Sequence, residues 1–218
     1  MSVVQTTVSR AKPGRRQEVA ALALEAAKLF ERHGAGESRL LVAGVAGETT
    51  GTYVFTTEFA NGEAWGACTD ALNADAETAA LLDRVYSDPS PIVLESMSIG
   101  VDIPLGRAAA AGHGSVIEAY VSRALPGRFD AALELAGVAF DFLESHGAVA
   151  CRLMQLNDAG LMSECLVVSW EFENARAAGK ATDAYFTDPS AQSLAQIITG
   201  ADSPITPITS GMYTEIPL

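Results

Sequence analysis

Two of the three histidines, His33 and His146, each precede a glycine, and they lie 113 positions apart (146 − 33). The imidazole group changes charge near neutral pH, so a histidine can transfer a proton or bind a ligand. A histidine in the last turn of a helix also interacts favourably with the last carbonyl groups and with the negative end of the helix dipole. Both interpretations stay open, and His146 is our candidate for proton transfer. The third histidine, His113, has no expected role.

Arginines recur at the same spacing. Arg10 and Arg123, like Arg15 and Arg128, flank the turn between a predicted strand and a predicted helix. Because the free N–H groups at a helix N-terminus attract anions, an anionic ligand can bind there, with Arg123 as our candidate. The alternative is that these arginines pair with nearby carboxylates and stabilise the turn.

A second recurring set consists of Arg39 with Glu58 and Arg152 with Glu171, in the two strands of a predicted hairpin. An ion pair within the sheet explains this recurrence most simply. Arg152 is also a candidate ligand-binding residue and Glu171 a candidate catalytic carboxylate. Catalysis by a carboxylate requires burial or a charged neighbour to change its pKa, and neither can be read from the sequence.

Two large side chains occur only in the second half of the chain, where Tyr120 and Trp170 replace Thr7 and Thr57. Either the second half packs larger side chains, or these two residues contact a ligand, with Tyr120 as a candidate catalytic residue. If the chain has one pocket, we expect it in the second half. The other predicted pocket walls are Phe140, Phe142 and Val168.

Several kinds of chemistry lack their sequence motifs. The chain contains no HExxH, GxSxG, GxGxxG or P-loop motif and no Cys/His cluster with zinc spacing. Its three cysteines, Cys68, Cys151 and Cys165, follow no disulfide or CxxC pattern and are interpreted as packing residues in a reduced compartment. We therefore predict no metal site and no classical nucleotide-binding site.

Charge limits the range of partners. A net charge of −13 and a pI near 4.5 make the surface repel nucleic-acid phosphates and anionic lipids, so neither is an expected partner. The first ten residues lack the features of a secretory signal, and no stretch approaches the ~20 apolar residues of a membrane span. We expect a cytoplasmic protein that binds a small molecule or another protein.

An internal repeat organises the whole chain. The segment VSRAKPGR at 8–15 recurs as VSRALPGR at 121–128, and the same shift of 113 aligns further matches without a gap. A Gly/Ala-rich stretch separates the two copies and is interpreted as a linker. The predicted domains are repeat 1 (1–105), the linker (106–114) and repeat 2 (115–218).

Within each repeat, hydrophobic periodicity predicts a strand, a helix, a hairpin of two strands, a second helical region and a closing strand. The first helix is predicted over 13–33, with a proline at its start and Gly34 as the left-handed residue after its end. The second helical region covers 61–86 and, in the second repeat, 174–199 with an interruption near Asp188. This order, β-α-β-β-α-β, is the ferredoxin-like motif.

A four-stranded sheet with helices on one face leaves its other face uncovered. We therefore predict an α+β fold of two tandem ferredoxin-like domains whose antiparallel sheets pack face to face as a pseudo-dimeric α/β barrel. Apolar and polar residues alternate over 117–122, so we expect a mixed interior that retains pockets.

These features resemble the dimeric α/β-barrel superfamily, in style closest to NIPSNAP-like proteins and antibiotic-biosynthesis monooxygenases. The resemblance rests on the strand, the Pro-Gly-Arg helix start at 13–15, the His-Gly-Ala helix end at 33–35 and the twofold arrangement. It implies that the repeats form in one chain the pseudo-dimer that relatives form from two. Haem-degrading members hold iron with a histidine on the second helix, whereas 61–86 and 174–199 contain none, so no cofactor is predicted.

We therefore expect the chain to bind a small, partly apolar organic molecule. As an enzyme it would be a cofactor-independent monooxygenase or isomerase, in which Tyr120, Arg152 and Trp170 hold an electron-rich substrate while a carboxylate or histidine moves a proton. The alternative is a non-catalytic scaffold with an exposed surface for a partner protein. Association of identical chains is open in both cases.

Overall fold

The computed structural model describes residues 1–106 and 116–218, which form two compact units. The first unit comprises Met1–Asp102, Asn157–Leu161 and Glu215–Leu218, and the second comprises Ile103–Leu156 and Met162–Thr214. Apart from Gly106, the predicted linker over 106–114 lies outside the described residues, as does His113.

The first unit has the element order β-α-β-β-α-α-β. Its elements are β1 (Val3–Ala11), α1 (Arg16–Arg32), β2 (Ser38–Val45), β3 (Thr52–Phe59), α2 (Gly62–Ala74), α3 (Ala76–Tyr86) and β4 (Ile92–Asp102). The strands are antiparallel and lie in the order β4-β1-β3-β2. The first strand in sequence is therefore an inner strand of the sheet.

The second unit repeats this order. Its elements are β5 (Val116–Ala124), α4 (Phe129–Ser145), β6 (Ala150–Asp158), β7 (Leu166–Phe172), α5 (Ala175–Thr187), α6 (Pro189–Thr199) and β8 (Ile205–Ile216). The last two residues of β6 and of β8 belong to the first unit. The strands pair antiparallel in the order β8-β5-β7-β6, which matches the first sheet strand for strand. The predicted α+β class with two tandem ferredoxin-like repeats is confirmed. None of the helices in the two described ranges is both long and apolar enough to cross a bilayer.

Helix α1 begins later than the sequence predicts. Pro13 and Gly14 lie in a turn, and Gly14 has a φ of +78°, a left-handed conformation that cannot continue into a helix. The helix therefore begins at Arg16. Its end agrees with the prediction, because Gly34 follows the C-cap residue His33 with a φ of +88°.

The second helical region is divided into two helices in both units. Asp75 separates α2 from α3 with extended backbone angles (φ −88°, ψ 125°), and its side chain accepts hydrogen bonds from the backbone N–H groups of Glu77 and Thr78. Asp188 separates α5 from α6 with nearly the same angles. The interruption predicted near Asp188 is therefore present, and it recurs at Asp75 because each aspartate caps a new helix.

Candidate functional site

A cavity of about 450 Å³ lies in the first unit, between one face of the sheet and helices α1, α2 and α3. Strand β1 contributes Gln5, Thr7 and Ser9, which share a face because alternate residues of a strand point to the same side. The antiparallel register places Phe55 of β3 and Met97 of β4 opposite Thr7. The floor of the cavity is therefore an inner strand and its two neighbours.

Most side chains that line the cavity are apolar. Helix α1 supplies Val19, Ala23, Ala26 and Phe30, whose spacing of three or four residues places them on one side of the helix. Further apolar lining comes from Leu40, Leu72, Leu81, Leu82, Val85, Ile92, Leu94 and Ile99. A mostly apolar lining with a few polar groups is typical of pockets that bind small organic molecules.

A hydrogen bond joins α2 to β1 at the wall of the cavity. The indole N–H of Trp65 donates to Oε1 of Gln5 at 2.9 Å. Since an indole nitrogen can only donate, the amide oxygen of Gln5 must face Trp65, and this fixes the orientation of the amide. Within residues 1–106 and 116–218, Nε2 of Gln5 has no hydrogen-bond acceptor. Gln5 therefore offers N–H donors that no described protein group uses.

Thr78, in the first turn of α3, lines the cavity with an unpaired hydroxyl group. The residue is 8% exposed, and in the described part of the chain its Oγ1 is the one buried side-chain nitrogen or oxygen without a hydrogen-bond partner. Burial of an unpaired hydroxyl costs roughly 1–3 kcal/mol. A polar group of a molecule in the cavity would remove this cost.

Charged residues fix the start of α3, and therefore the position of Thr78. Nε2 of His33 lies 2.7 Å from Oδ2 of Asp75. This hydrogen bond, followed by the one from the backbone N–H of Glu77, lowers the pKa of the Asp75 carboxyl below its usual range. Arg32 also pairs with Glu77 at 2.9 Å. The end of α1 is thereby joined to the start of α3.

Ionisable groups are scarce at the cavity. Of the lining residues that the structure describes, only Asp158 and Tyr86 are ionisable, and both are exposed. The described lining contains no His, Cys, Lys or Arg, and no group of three or more His, Cys, Asp or Glu in the described residues could hold a metal ion. The cavity is suited to a neutral molecule, and its described interior offers no residue that moves a proton near neutral pH.

Haem does not fit the lining of this cavity. Haem iron is held by His, Cys, Met or Tyr. Of these types, the described lining offers Met97 and Tyr86, which are 51% and 67% exposed. Among the described residues, the cavity therefore has no buried axial ligand.

At two positions of the equivalent region, the second unit has larger side chains. Tyr120 stands in place of Thr7, and Tyr185 stands in place of Leu72. Tyr120 is partly buried against a core cluster that includes Phe140, Leu153 and Val168. Burial raises the pKa of Tyr120, and the nearby Tyr185 raises it further. At these two positions, aromatic rings of the second unit therefore occupy space that smaller side chains leave open in the first.

Both units have a tryptophan bonded to the same position of the inner strand, but the tryptophan comes from different elements. In the second unit, Nε1 of Trp170 in β7 donates to Oε2 of Glu118 at 2.9 Å, and Glu118 is the repeat equivalent of Gln5. Burial raises the pKa of Glu118, and the hydrogen bond from Trp170 opposes this rise. Ala178 stands at the position of Trp65. The hydrogen bond is shared, whereas the acceptor is an amide in one unit and a carboxyl group in the other.

Four of the nine predicted site residues lie together in the second unit. Cross-strand pairs place Trp170 beside Glu118 and Val168 beside Tyr120, on the face of the sheet that packs against Phe140 of α4. None of the nine lines the cavity of the first unit. The sequence analysis favoured a pocket in the second half, and the residues named there stay predictions.

Three further predicted residues, Arg123, Arg152 and Glu171, belong to the other face of the second sheet. Glu171 is buried and lies opposite Ile117, while Arg152 lies opposite Ser169. The Nη2 group of Arg123 donates at 3.4 Å to the backbone oxygen of Ser163 and to Sγ of Cys165.

The remaining two predicted site residues, Phe142 and His146, are in contact at the end of α4. Their ring centroids are 4.3 Å apart, and Nδ1 of His146 lies 2.8 Å from the backbone oxygen of Phe142. Nε2 of His146 lies 3.6 Å from a carboxylate oxygen of Asp188. The repeated histidines thus each face the aspartate that caps the last helix of their unit.

Sequence reasoning did not identify Gln5, Trp65 or Thr78 as site residues. For Trp65 a signal was present, because its repeat equivalent is Ala178, which is the same kind of asymmetry that singled out Trp170. For Thr78 there was none, since the lack of a hydrogen-bond partner depends on how the surrounding side chains pack.

No family model and no curated protein matches the chain. Solved structures resemble it over its whole length. They include an anthrone oxidase-like protein (TM-score 0.63, 13% identity, 99% of this chain and 91% of that one). A second is a protein from Fusobacterium nucleatum subsp. nucleatum provisionally named a monooxygenase (TM-score 0.59, 8% identity, 99% and 93%). A third is a variant of chlorite dismutase from Candidatus Nitrospira defluvii (TM-score 0.57, 10% identity, 99% and 91%). The chain therefore has the tandem ferredoxin-like fold of these structures.

Proposed function

We propose that the first unit binds a small, neutral and largely apolar organic molecule in the cavity between its sheet and helices α1, α2 and α3. The observation that carries the proposal is the cavity, whose volume of about 450 Å³ lies in the range of about 300–1,000 Å³ typical of small-molecule pockets. Protein interiors are otherwise close-packed, with few voids larger than a water molecule. An apolar space of this size lowers stability unless a ligand fills it.

The comparison between repeats supports the same site. At the position of Thr7 the second unit has Tyr120, which packs against its core. One tyrosine-sized side chain at this position is thus compatible with the fold, and the smaller threonine in the first unit leaves space. The unpaired hydroxyl of Thr78 adds a polar group with which a ligand can form a hydrogen bond.

The names of two structural neighbours, an anthrone oxidase-like protein and a protein provisionally named a monooxygenase, support a ring-containing organic ligand and suggest oxygenation as the reaction to assay. A closer relation to NIPSNAP-like proteins or antibiotic-biosynthesis monooxygenases stays a prediction, as does activity as a cofactor-independent monooxygenase or isomerase. Oxygen consumption in the presence of each bound probe distinguishes an oxygenase from a binding protein.

Titration of the full chain with naphthalene, followed by the fluorescence of the probe, tests the proposed site. Thr7→Tyr introduces the side chain that the second unit has at Tyr120, and should reduce saturable binding at least tenfold by filling the cavity. Thr7→Val is the matched control, because it changes polarity while nearly preserving volume, and should retain binding. Equal affinities of the two variants, or no saturable binding to the unmodified chain, would contradict the proposal.

The non-catalytic scaffold is the second candidate. Large apolar side chains are exposed in each unit, with Leu161 of the first unit 94% exposed and Phe186 of the second 72% exposed. A chain that binds no small apolar probe, and whose Thr7→Tyr variant loses thermal stability because the ring finds no space, would favour this candidate.

A further inference from the structure

We infer that Thr78 and Gln5 make the cavity selective for uncharged molecules that carry a hydroxyl or carbonyl oxygen, with Thr78 as the specificity-determining residue. This inference rests on the proposed function, because it concerns the ligand class of the same cavity. It goes further in distinguishing an oxygen-bearing ring compound from a hydrocarbon of the same shape, and a neutral compound from an anion.

The first observation is the unpaired hydroxyl of Thr78. Its Oγ1 is shielded from solvent, the residue is 8% exposed, and the cavity is the space that it borders. A hydroxyl group both donates and accepts hydrogen bonds, so it can pair with a phenol or with a ketone. A hydrocarbon leaves it unpaired, and the cost of its burial remains.

The second observation is the fixed amide of Gln5. The hydrogen bond from Trp65 at 2.9 Å holds the amide oxygen, so the NH₂ group is available for an acceptor. An acceptor oxygen on the ligand satisfies it without any rearrangement of the wall. Pre-positioned donors of this kind improve affinity because little side-chain freedom is lost on binding.

The third observation is the charge of the lining. The described residues that border the cavity include no cation, and the one carboxylate among them is the exposed Asp158. A ligand carboxylate would lose water without gaining a partner, which is unfavourable in an apolar space. The net charge of −13 on the chain also opposes the approach of anions.

The second repeat has neither the hydroxyl group of Thr78 nor the amide N–H donors of Gln5 at the equivalent positions. Ala191 stands in place of Thr78, and Glu118 stands in place of Gln5. Glu118 accepts the hydrogen bond of Trp170 at 2.9 Å, and a carboxylate has no N–H to donate. The second repeat therefore suggests the two substitutions that test the pair, Thr78→Ala and Gln5→Glu.

The experiment uses the full chain and three probes with one ring system: naphthalene, 2-naphthol and 2-naphthoate, titrated by fluorescence at pH 7. The readout is the ratio of the Kd of naphthalene to the Kd of 2-naphthol, because the ratio cancels effects on cavity volume. We expect this ratio to fall about five- to tenfold in Thr78→Val, where the hydroxyl is replaced by a methyl group of similar size. We expect 2-naphthoate to bind at least tenfold more weakly than 2-naphthol.

Two further variants serve as controls. Thr78→Ser keeps the hydroxyl and should keep the ratio within about twofold of the unmodified chain. Gln5→Glu keeps an acceptor for Trp65 but removes the donors, and should lower the ratio as well. If Thr78→Val does not fold, as judged by circular dichroism, Thr78→Ala provides the same test with the residue found in the second repeat.

The outcomes separate this inference from the proposed function. If naphthalene binds but Thr78→Val leaves the ratio unchanged, the cavity binds ligands and the assignment of Thr78 is overturned. A 2-naphthoate affinity equal to that of 2-naphthol would overturn the selectivity for neutral molecules. If naphthalene and 2-naphthol both fail to bind the unmodified chain, the proposed function fails and this inference fails with it.

Discussion

Nε2 of His33 lies 2.7 Å from Oδ2 of Asp75, so the residue that ends α1 is bonded to the residue that separates α2 from α3. Asp75 also accepts hydrogen bonds from the first backbone N–H groups of α3. One carboxylate thus fixes both the start of α3 and its attachment to α1. Thr78, three residues along α3, depends on this arrangement for its position in the cavity wall.

The lowered pKa of Asp75 predicts a loss of stability in acid. Its pKa is lower in the folded chain than the unfolded value of about 3.9, so the stabilisation is complete above that pH and is lost as the pH falls further, through the folded pKa. Because the His33 hydrogen bond is the largest cause, His33→Ala, which has no side-chain donor, should flatten the acid side of the profile. Urea unfolding at a series of pH values measures the effect.

The second unit provides the control for this prediction. The pKa of Asp188 is also lowered, but mainly by hydrogen bonds from Ser190, and His146 lies at 3.6 Å and contributes least. His146→Ala should therefore leave the acid dependence nearly unchanged. A flattening as large as that of His33→Ala would show that the His33 hydrogen bond is not the cause.

Thr78→Val should stabilise the chain without ligand by about 1 kcal/mol, because it removes a buried hydroxyl that has no partner. Thr52→Val is the matched control. Thr52 is also buried, but its hydroxyl donates to the backbone oxygen of Thr49 at 2.7 Å, so this change should destabilise by about 1 kcal/mol. Chemical unfolding at neutral pH compares the two, and a loss of stability in both would mean that the Thr78 hydroxyl is paired in solution.

Tyr120→Thr should create in the second unit the space that Thr7 leaves in the first. Loss of a partly buried aromatic ring is expected to lower the free energy of unfolding by about 2–4 kcal/mol. It should also raise the number of naphthalene sites per chain from one to two. An unchanged stoichiometry, in a variant shown to be folded, would mean that neighbouring side chains collapse into the space.

The ion pair between Arg39 and Glu215 should contribute to the stability of the first unit. Nε and Nη2 of Arg39 donate to the two oxygens of Glu215 at 3.0 and 2.9 Å, and both side chains are largely buried. Arg39→Lys cannot form this two-point contact, so we expect it to cost about 1–3 kcal/mol despite keeping the charge. Arg84→Lys, at an exposed pair with Glu25, should change stability by less than about 0.5 kcal/mol in thermal unfolding.

The internal repeat makes the fold predictable from the sequence. A strand or helix pattern that is ambiguous in one repeat becomes a firm prediction when it recurs 113 residues later. The order of the elements follows from these recurring patterns. The break at Asp75 was missed because no proline marks it, although Asp188 with Pro189 stands at the equivalent position. Reading the two repeats against each other at every position would have revealed it.

The location of the cavity could not be read from the sequence in the same way. Its existence depends on side-chain volumes that meet only through strand register, such as Thr7 opposite Phe55 and Met97. Tyr120 and Trp170 pack against the core of the second unit, and their predicted contact with a ligand stays a prediction. The space in the first unit depends on one small residue, Thr7, whose effect depends on the side chains that surround it.

The difference between Thr7 and Tyr120 has a consequence for the history of the chain. In an assembly of two identical chains, every substitution appears in both halves at once, so a mutation that opens one cavity opens two and weakens both cores. Fusion of the halves into one polypeptide removes that constraint. The half with Tyr120 can then become denser while the half with Thr7 keeps an unfilled interior. The stability gained in the denser half offsets the stability lost in the half with the cavity. The two halves thus share the order of their strands and helices, and they differ in side chains such as Thr7 and Tyr120.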